Sequence, residues 1–309
     1  MTQDKNWPRI AVAGAGAVGG YFGGMLARAG APVEFIGRPA FVEAVKKNGL
    51  FLDTLQFQEA VRVEASTELS AARGADLILF CVKTTDTAAS ARELAQVLSS
   101  DATLVSMQNG VDNAEQIRAA AGIEALPAAV YVAASVPAPG RVKHAGRGDL
   151  VIGPRNEKTE RVAAAFARAG VPCTISENIT GELWTKLLMN CAGNAISALG
   201  RVNYGQMAAS ADAGRVVESV VHEVFAVARA AGVRLARLED PQIALGAALK
   251  LAEQMNKATS STAQDLLRGK RTEVDSLNGY IARRGAELGV ATPVNHTLYA
   301  LVKLAEGRS

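Results

Sequence analysis

Cysteine is scarce: the 309 residues hold only Cys81, Cys173 and Cys191. All three lie in apolar strand or helix patterns without paired spacing, which argues against a disulfide framework. Buried free thiols in a reducing compartment, the cytoplasm, are expected. Histidine is equally sparse, and His144, His222 and His296 form no pair with ligand spacing, so no metal is expected. No G-x-S-x-G elbow is present for a serine nucleophile. No apolar run is long enough to cross a membrane, and the polar opening MTQDKNWPR contains no signal core, so no membrane partner is expected. Charge is nearly balanced, with 33 Lys plus Arg against 30 Asp plus Glu. No basic block or aromatic-basic interleaving occurs, which removes nucleic acid as a partner. A slightly basic surface tolerates an anionic substrate or cofactor.

What is present is apolar patterning over about half the residues, enough for two domains and a sizeable core. The first pattern is the strand RIAVA (Arg9–Ala13), then Gly14-Ala15-Gly16-Ala17-Val18-Gly19, then a helical stretch and a second strand, Ala31–Ile36. A G-x-G-x-x-G in this βαβ context fits a dinucleotide-binding turn. Gly14 permits the tight turn, Gly16 lets backbone approach a pyrophosphate, and Gly19 lets helix and sheet pack closely. The pyrophosphate would meet the free N–H groups and positive end of the helix, around Ala17 and Val18. An NAD site normally has a carboxylate at the end of the second strand. Glu34 is mid-strand, and the strand ends in Gly37-Arg38, which suits the 2′-phosphate of NADP; a solvated loop arginine is the alternative.

Further on, the pattern predicts a helix over Ala40–Asn48, a hairpin of Phe51–Asp53 with Phe57–Val63, and parallel strands Asp76–Val82 and Thr103–Met107. Lys83 and Asn109-Gly110 follow those two strands, at the carboxyl ends where such sheets bind ligands; a surface lysine and plain turn chemistry are the alternatives. Ala128–Val136 reads as a strand, GRVKHAGRGDLVIGP as a glycine-rich hairpin, then a helix (Thr159–Arg168) and a strand (Pro172–Ile175). A boundary near Ser176–Thr180 divides the chain into 1–178 and 179–309. The remainder reads as helices near Gly181–Gly200, Ala211–Ala231, Leu245–Leu267, Val274–Leu288 and Thr297–Glu306. The expected class is α/β, an N-terminal Rossmann-type doubly wound sheet with a C-terminal all-helical domain.

The helix GELWTKLLMNCAGNAISALG is unusual in its polar residues. Lys186, Asn190 and Asn194 recur at four-residue steps and share one stripe, which Ser197 continues. Such a stripe is either a solvated face or a hydrogen-bonding site. Asn is a poor helix former and rare on solvated faces, which favours the site.

GAGAVGGYFG, the Lys83 turn, MQNG, LWTKLLMN, Ser260-Ser261-Thr-Ala-Gln-Asp and Thr272-Glu273-Val-Asp-Ser-Leu-Asn278-Gly279 occur in one order along nearly the whole chain. Together they resemble the ketopantoate reductase (2-dehydropantoate 2-reductase) family. The resemblance implies NADPH on a Rossmann domain and a helical domain closing over it. It places Lys186 on the catalytic lysine and Glu273 on its partnering carboxylate. Asn109, Asn190, Asn194 and Ser261 match polar positions around substrate and nicotinamide, and Arg38 and Lys83 match cofactor contacts. Asn278 shares the Glu273 motif, in a catalytic or a structural capacity. Thr262-Ala263, Asp112 and the Ala258-Thr259 pair depart from the family pattern, all around the acyl substrate.

The expected reaction is reduction of 2-dehydropantoate to (R)-pantoate with NADPH. Lys186 protonates the 2-oxo oxygen as hydride arrives, and Glu273 holds the amine. The expected partner is a small anionic 2-oxo acid, and the chain a monomer or homodimer. Alternatives are a paralogue reducing another branched 2-oxo acid and a non-catalytic NADP-binding sensor.

Overall fold

The computed structural model describes Trp7–Gly307; the polar stretch MTQDKN read above lies outside the described residues. The chain divides into two compact units. The first runs to Gln108 and resumes over Asp112–Ile179; the second comprises Asn109–Val111 and Thr180–Ser309.

The first unit is built as β1 (Ile10–Ala13), α1 (Ala17–Arg28), β2 (Val33–Ile36), α2 (Pro39–Asn48), β3 (Leu50–Asp53), β4 (Gln58–Val61), β5 (Glu64–Ser66), β6 (Leu77–Phe80), α3 (Thr87–Ala95), β7 (Thr103–Ser106), α4 (Asn113–Ala121), β8 (Ala125–Ala138), β9 (Arg141–Ile152), α5 (Glu157–Arg168) and β10 (Cys173–Ile175). The strands form one ten-stranded sheet in the order β4-β3-β9-β8-β7-β6-β1-β2-β5, with β10 beside β9. From β5 to β8 every pairing is parallel. Fully buried parallel strands read as continuous apolar runs because helices cover both faces. Here Ile10, Val12, Leu77, Leu79 and Val105 enter one core, while Ala11, Ala13, Ile78, Phe80 and Leu104 enter another on the opposite face. The strand order reverses at β1, whose neighbours are β2 and β6.

Gly140–Pro154 departs from the expectation of a self-contained hairpin. It supplies a single long strand, β9, which pairs antiparallel with β8. The glycines there misled the sequence analysis. Gly148 takes a positive φ of 128° next to a register shift, so it kinks the strand rather than ending it.

The second unit contains α6 (Ile179–Gly200), α7 (Tyr204–Ala208), α8 (Ala211–Ala230), α9 (Pro241–Gln254), α10 (Ser261–Leu267), α11 (Asn278–Glu287) and α12 (Pro293–Glu306). Its core joins Leu187, Leu188 and Cys191 of α6 to a valine stripe on α8, Val217, Val220, Val221, Val224 and Val227, at helical spacing. The expected helix Leu245–Leu267 is two helices. Ser260, extended at φ −64° and ψ 156°, caps α10 by accepting from the Ala263 amide. The first helix already ends at Gln254, and the Thr and Ser run over 259–262 supplies the cap that starts the next. The expected helix Val274–Leu288 likewise begins as a 3₁₀ turn, Val274–Ser276, before α11.

Candidate functional site

In the first unit the glycine turn lies where the strand order reverses. Gly14 has φ +103°, and a Cβ there would stand 2.6 Å from the Cys81 carbonyl carbon, at the end of β6. A Cβ on Gly19 would run into the Gly14 carbonyl. Gly16 differs: it caps α1 without a side-chain bond, and a Cβ there would meet nothing within 4 Å. Ala17 and Val18 follow in the first turn, which contains no acidic residue. Two glycines are thus filled by the protein's own backbone, while the third faces open space at a helix N-terminus. Space beside free N–H groups at a helix N-terminus fits the phosphates of a dinucleotide.

Arg38 is exposed and caps α2 through its backbone, with Pro39 as the first helical residue. Among the described residues its guanidinium has no ion-pair partner. Glu34 faces Glu64 across the β2–β5 pair, and desolvation together with the Glu64 charge raises its carboxyl above the usual range. It does not occupy the strand's end. Lys83 is exposed and opens the 3₁₀ turn Thr84–Asp86. Gln108, which stands in the MQNG motif without an assigned role, fixes this region. It is buried, accepts from Ser106 Oγ at 3.1 Å, and donates to the Val82 carbonyl at 3.1 Å and Thr87 Oγ1 at 2.7 Å.

In the second unit three of the candidate residues come together. Lys186 Nζ donates to Asn109 Oδ1 at 2.9 Å, and Asn109 Nδ2 donates to Glu273 Oε2 at 2.8 Å. The amide thus stands between ammonium and carboxylate, bonded to both. All three are half-buried. The polar stripe of α6 is no solvated face, because Asn194 is 5% exposed and Ser197 is fully buried. Its two asparagines differ. Asn190 is half-buried, and its side chain has no hydrogen-bond partner among the described residues. Asn194 Oδ1 accepts from Tyr204 Oη at 2.9 Å. Burial pushes the Tyr204 phenol up to about 12, so it stays a donor.

The paired serines divide their duties. Ser260 is buried and donates to the Asn194 carbonyl at 2.9 Å, tying α10 to α6. Ser261 is exposed, its side chain without a partner among the described residues. Asn278 is fully buried and donates to the Cys191 carbonyl at 3.2 Å and Asn295 Oδ1 at 3.0 Å. Those bonds give it a structural part, bracing α6. Burial raises all three thiols, Cys173 to about 12 and the others further, so none is a thiolate nucleophile near neutrality. Among the described residues no group of three or more His, Cys, Asp or Glu is placed to hold a metal.

The model of the ketopantoate reductase PanE/ApbA family matches residues 10–157, and that of its C-terminal part matches 178–306. The chain belongs to the ketopantoate reductase family. A curated 2-dehydropantoate 2-reductase from Pyrococcus horikoshii is 33% identical over 96% of this chain and 97% of its own length. A crystal structure of a PanE/ApbA family ketopantoate reductase from Ralstonia eutropha JMP134 is 49% identical, with a TM-score of 0.92 over 97% of this chain and 98% of that one. A D-mandelate dehydrogenase solved with NADH and anilino(oxo)acetate is 25% identical, with a TM-score of 0.87 over 97% and 98% of the chains. The family's fold accounts for both units, sheet and helical.

Proposed function

We propose that this chain is a 2-dehydropantoate 2-reductase, reducing 2-dehydropantoate to (R)-pantoate with NADPH. The observation that carries it is the Lys186–Asn109–Glu273 chain, a proton donor, a neutral relay and a carboxylate linked by bonds of 2.9 and 2.8 Å. An identity of 33% across 96% of the chain to a curated enzyme of that name supports the substrate.

Bound at the Gly14–Gly19 turn, NADPH supplies the hydride. Ala17, Val18 and Gly19 offer backbone amides to the pyrophosphate, while Arg38 pairs with the 2′-phosphate and Lys83 adds positive charge. The Lys186 ammonium donates a hydrogen bond to the 2-oxo oxygen, stabilises the negative charge developing there, and gives it a proton. Asn109 holds the ammonium through Oδ1 and passes the orienting pull of Glu273 through Nδ2. Asn190 and Asn194 orient the acyl chain, and the exposed Ser261 hydroxyl binds the substrate carboxylate. The substrate is a small anionic 2-oxo acid.

A different branched or aromatic 2-oxo acid is the second candidate. It is favoured by small, buried Thr262 and Ala263 in the first turn of α10, and by the similar D-mandelate dehydrogenase fold. NADPH oxidation by the purified protein, measured over a panel of 2-oxo acids, tests both. The highest kcat/KM is expected with 2-dehydropantoate, and a clear preference for another acid overturns that assignment.

A further inference from the structure

The turn that presents Glu273 is gripped on both sides by one face of the last helix. Tyr299, Lys303 and Glu306 of α12 stand at i, i+4 and i+7, so they form a single row. On the amino side of Glu273, Thr272 is 2% exposed, and its amide and hydroxyl both donate to Glu306 Oε1, at 2.8 and 2.7 Å. On the carboxyl side, Asp275 accepts from Tyr299 Oη at 2.9 Å and Lys303 Nζ at 3.0 Å. Lys303 closes the row by pairing with Glu306 Oε2 at 2.8 Å. Arg283 adds a bond to the Asp275 carbonyl at 2.8 Å. Glu273 itself makes no capping bond to the 3₁₀ turn it opens; its carboxylate is bonded to Asn109 instead.

A helix-start carboxylate would spend its oxygens on the turn. Here the neighbours of Glu273 stabilise the turn and leave its carboxylate to the Lys186–Asn109 chain. We infer that Tyr299, Lys303 and Glu306 are positioning residues for the reduction, holding the 272–276 turn so that Glu273 keeps its place beside Asn109. The inference rests on the part given to Glu273 under Proposed function. Its energetic basis is ordinary: a catalytic group displaced by about 1 Å costs up to about 10²-fold in rate. A cluster of charge-assisted bonds around a short turn is what prevents that displacement.

The test is a double-mutant cycle in the whole chain, with kcat, KM, NADPH affinity and thermal midpoint measured for Glu306→Ala, Glu306→Gln, Glu273→Ala and the double variants. Glu306→Ala is expected to lower kcat/KM on the order of 10–10²-fold with NADPH affinity unchanged. Glu306→Gln, whose amide oxygen still accepts from Thr272, recovers most of that loss. In the Glu273→Ala background, where no side-chain oxygen remains for Asn109, Glu306→Ala has no further kinetic effect, because both act through one group. A thermal shift with unchanged kinetics, or losses that simply multiply in the double variant, overturns the positioning role alone. Normal kinetics for Glu273→Ala by itself overturns the part assigned to Glu273, and the positioning role with it. Should Glu306→Ala fail to fold, Tyr299→Phe, which deletes one hydroxyl, carries the same cycle with the same two outcomes.

Discussion

Two glycines separated by one residue should respond to the same substitution in opposite ways. Gly14→Ala puts a side chain into a backbone at φ +103° with Cys81 and Val82 main-chain atoms 2.6–2.7 Å from the new Cβ. The strained dihedral costs about 1–3 kcal/mol, and forcing an atom into packed backbone costs about 1–3 kcal/mol more. At about 2–4 °C per kcal/mol for a unit of this size, the melting transition of the sheet unit should fall by on the order of 5–20 °C. Gly16→Ala meets no atom within 4 Å and keeps an ordinary φ of −81°. Its effect on stability should stay within about 1 kcal/mol, the scale of a cap change. Its methyl, however, occupies the space the pyrophosphate needs. Losing one charge-assisted backbone bond of about 1.5–3 kcal/mol weakens NADPH roughly 10- to 150-fold. Thermal denaturation paired with NADPH fluorescence titration reads both. A Gly16→Ala protein that binds NADPH as tightly as the wild type refutes the cradle.

Other outcomes follow from single contacts. Arg38→Ala should weaken NADPH by roughly 10- to 150-fold while leaving NADH unchanged, since only the 2′-phosphate is lost as a partner; equal wild-type affinity for both cofactors contradicts the assignment. Tyr204→Phe removes the hydrogen bond to the buried Asn194 side-chain oxygen, and leaving such an acceptor unsatisfied costs about 1–3 kcal/mol. The variant should be less stable and should raise KM for the oxo acid, and an unchanged KM would release Asn194 from substrate orientation. Against the upward pull of desolvation, bonds from Lys303 and Tyr299 hold Asp275 below the usual carboxylate range, and bonds from Lys303 and Thr272 do the same for Glu306. Groups depressed in the folded state stabilise it above their unfolded pKa, and that stability is lost as pH falls through the folded value. Denaturation across an acidic pH series should therefore show the helical unit weakening, with a shallower dependence in Lys303→Met; identical slopes contradict the ion-pair account.

The sheet was legible because its determinants are local. Apolar strands of four residues, a glycine turn forced by sterics and a proline at the start of α2 each act within a few residues of themselves. Local signals also misled: glycines suggested a turn inside β9, and apolar periodicity ran through the Ser260 cap that divides α9 from α10. Lys186, Asn190 and Asn194 could be named from types and spacing, Glu273 and Ser261 only from the family resemblance, and their connections from neither. Asn109 and Glu273 are 164 positions apart, and Asn278 reaches a carbonyl 87 positions away. No periodicity encodes such pairings. Gln108 and Ser260 stood in quoted motifs without a role, because a buried polar residue is recognised by its partners, which only the folded chain supplies. The Asn109–Val111 segment, which groups with the helical unit although it follows β7, had no compositional mark at all.

The central claim is that Lys186 is the proton donor of an NADPH-dependent 2-oxo acid reductase. The most direct measurement is the rate of NADPH oxidation with 2-dehydropantoate by the wild type and by Lys186→Ala, alongside NADPH affinity for each. The wild type should turn over, and the variant should bind NADPH normally while losing roughly 10²–10⁴ in kcat. Turnover by Lys186→Ala at the wild-type rate, or no oxidation by the wild type with any 2-oxo acid, contradicts it.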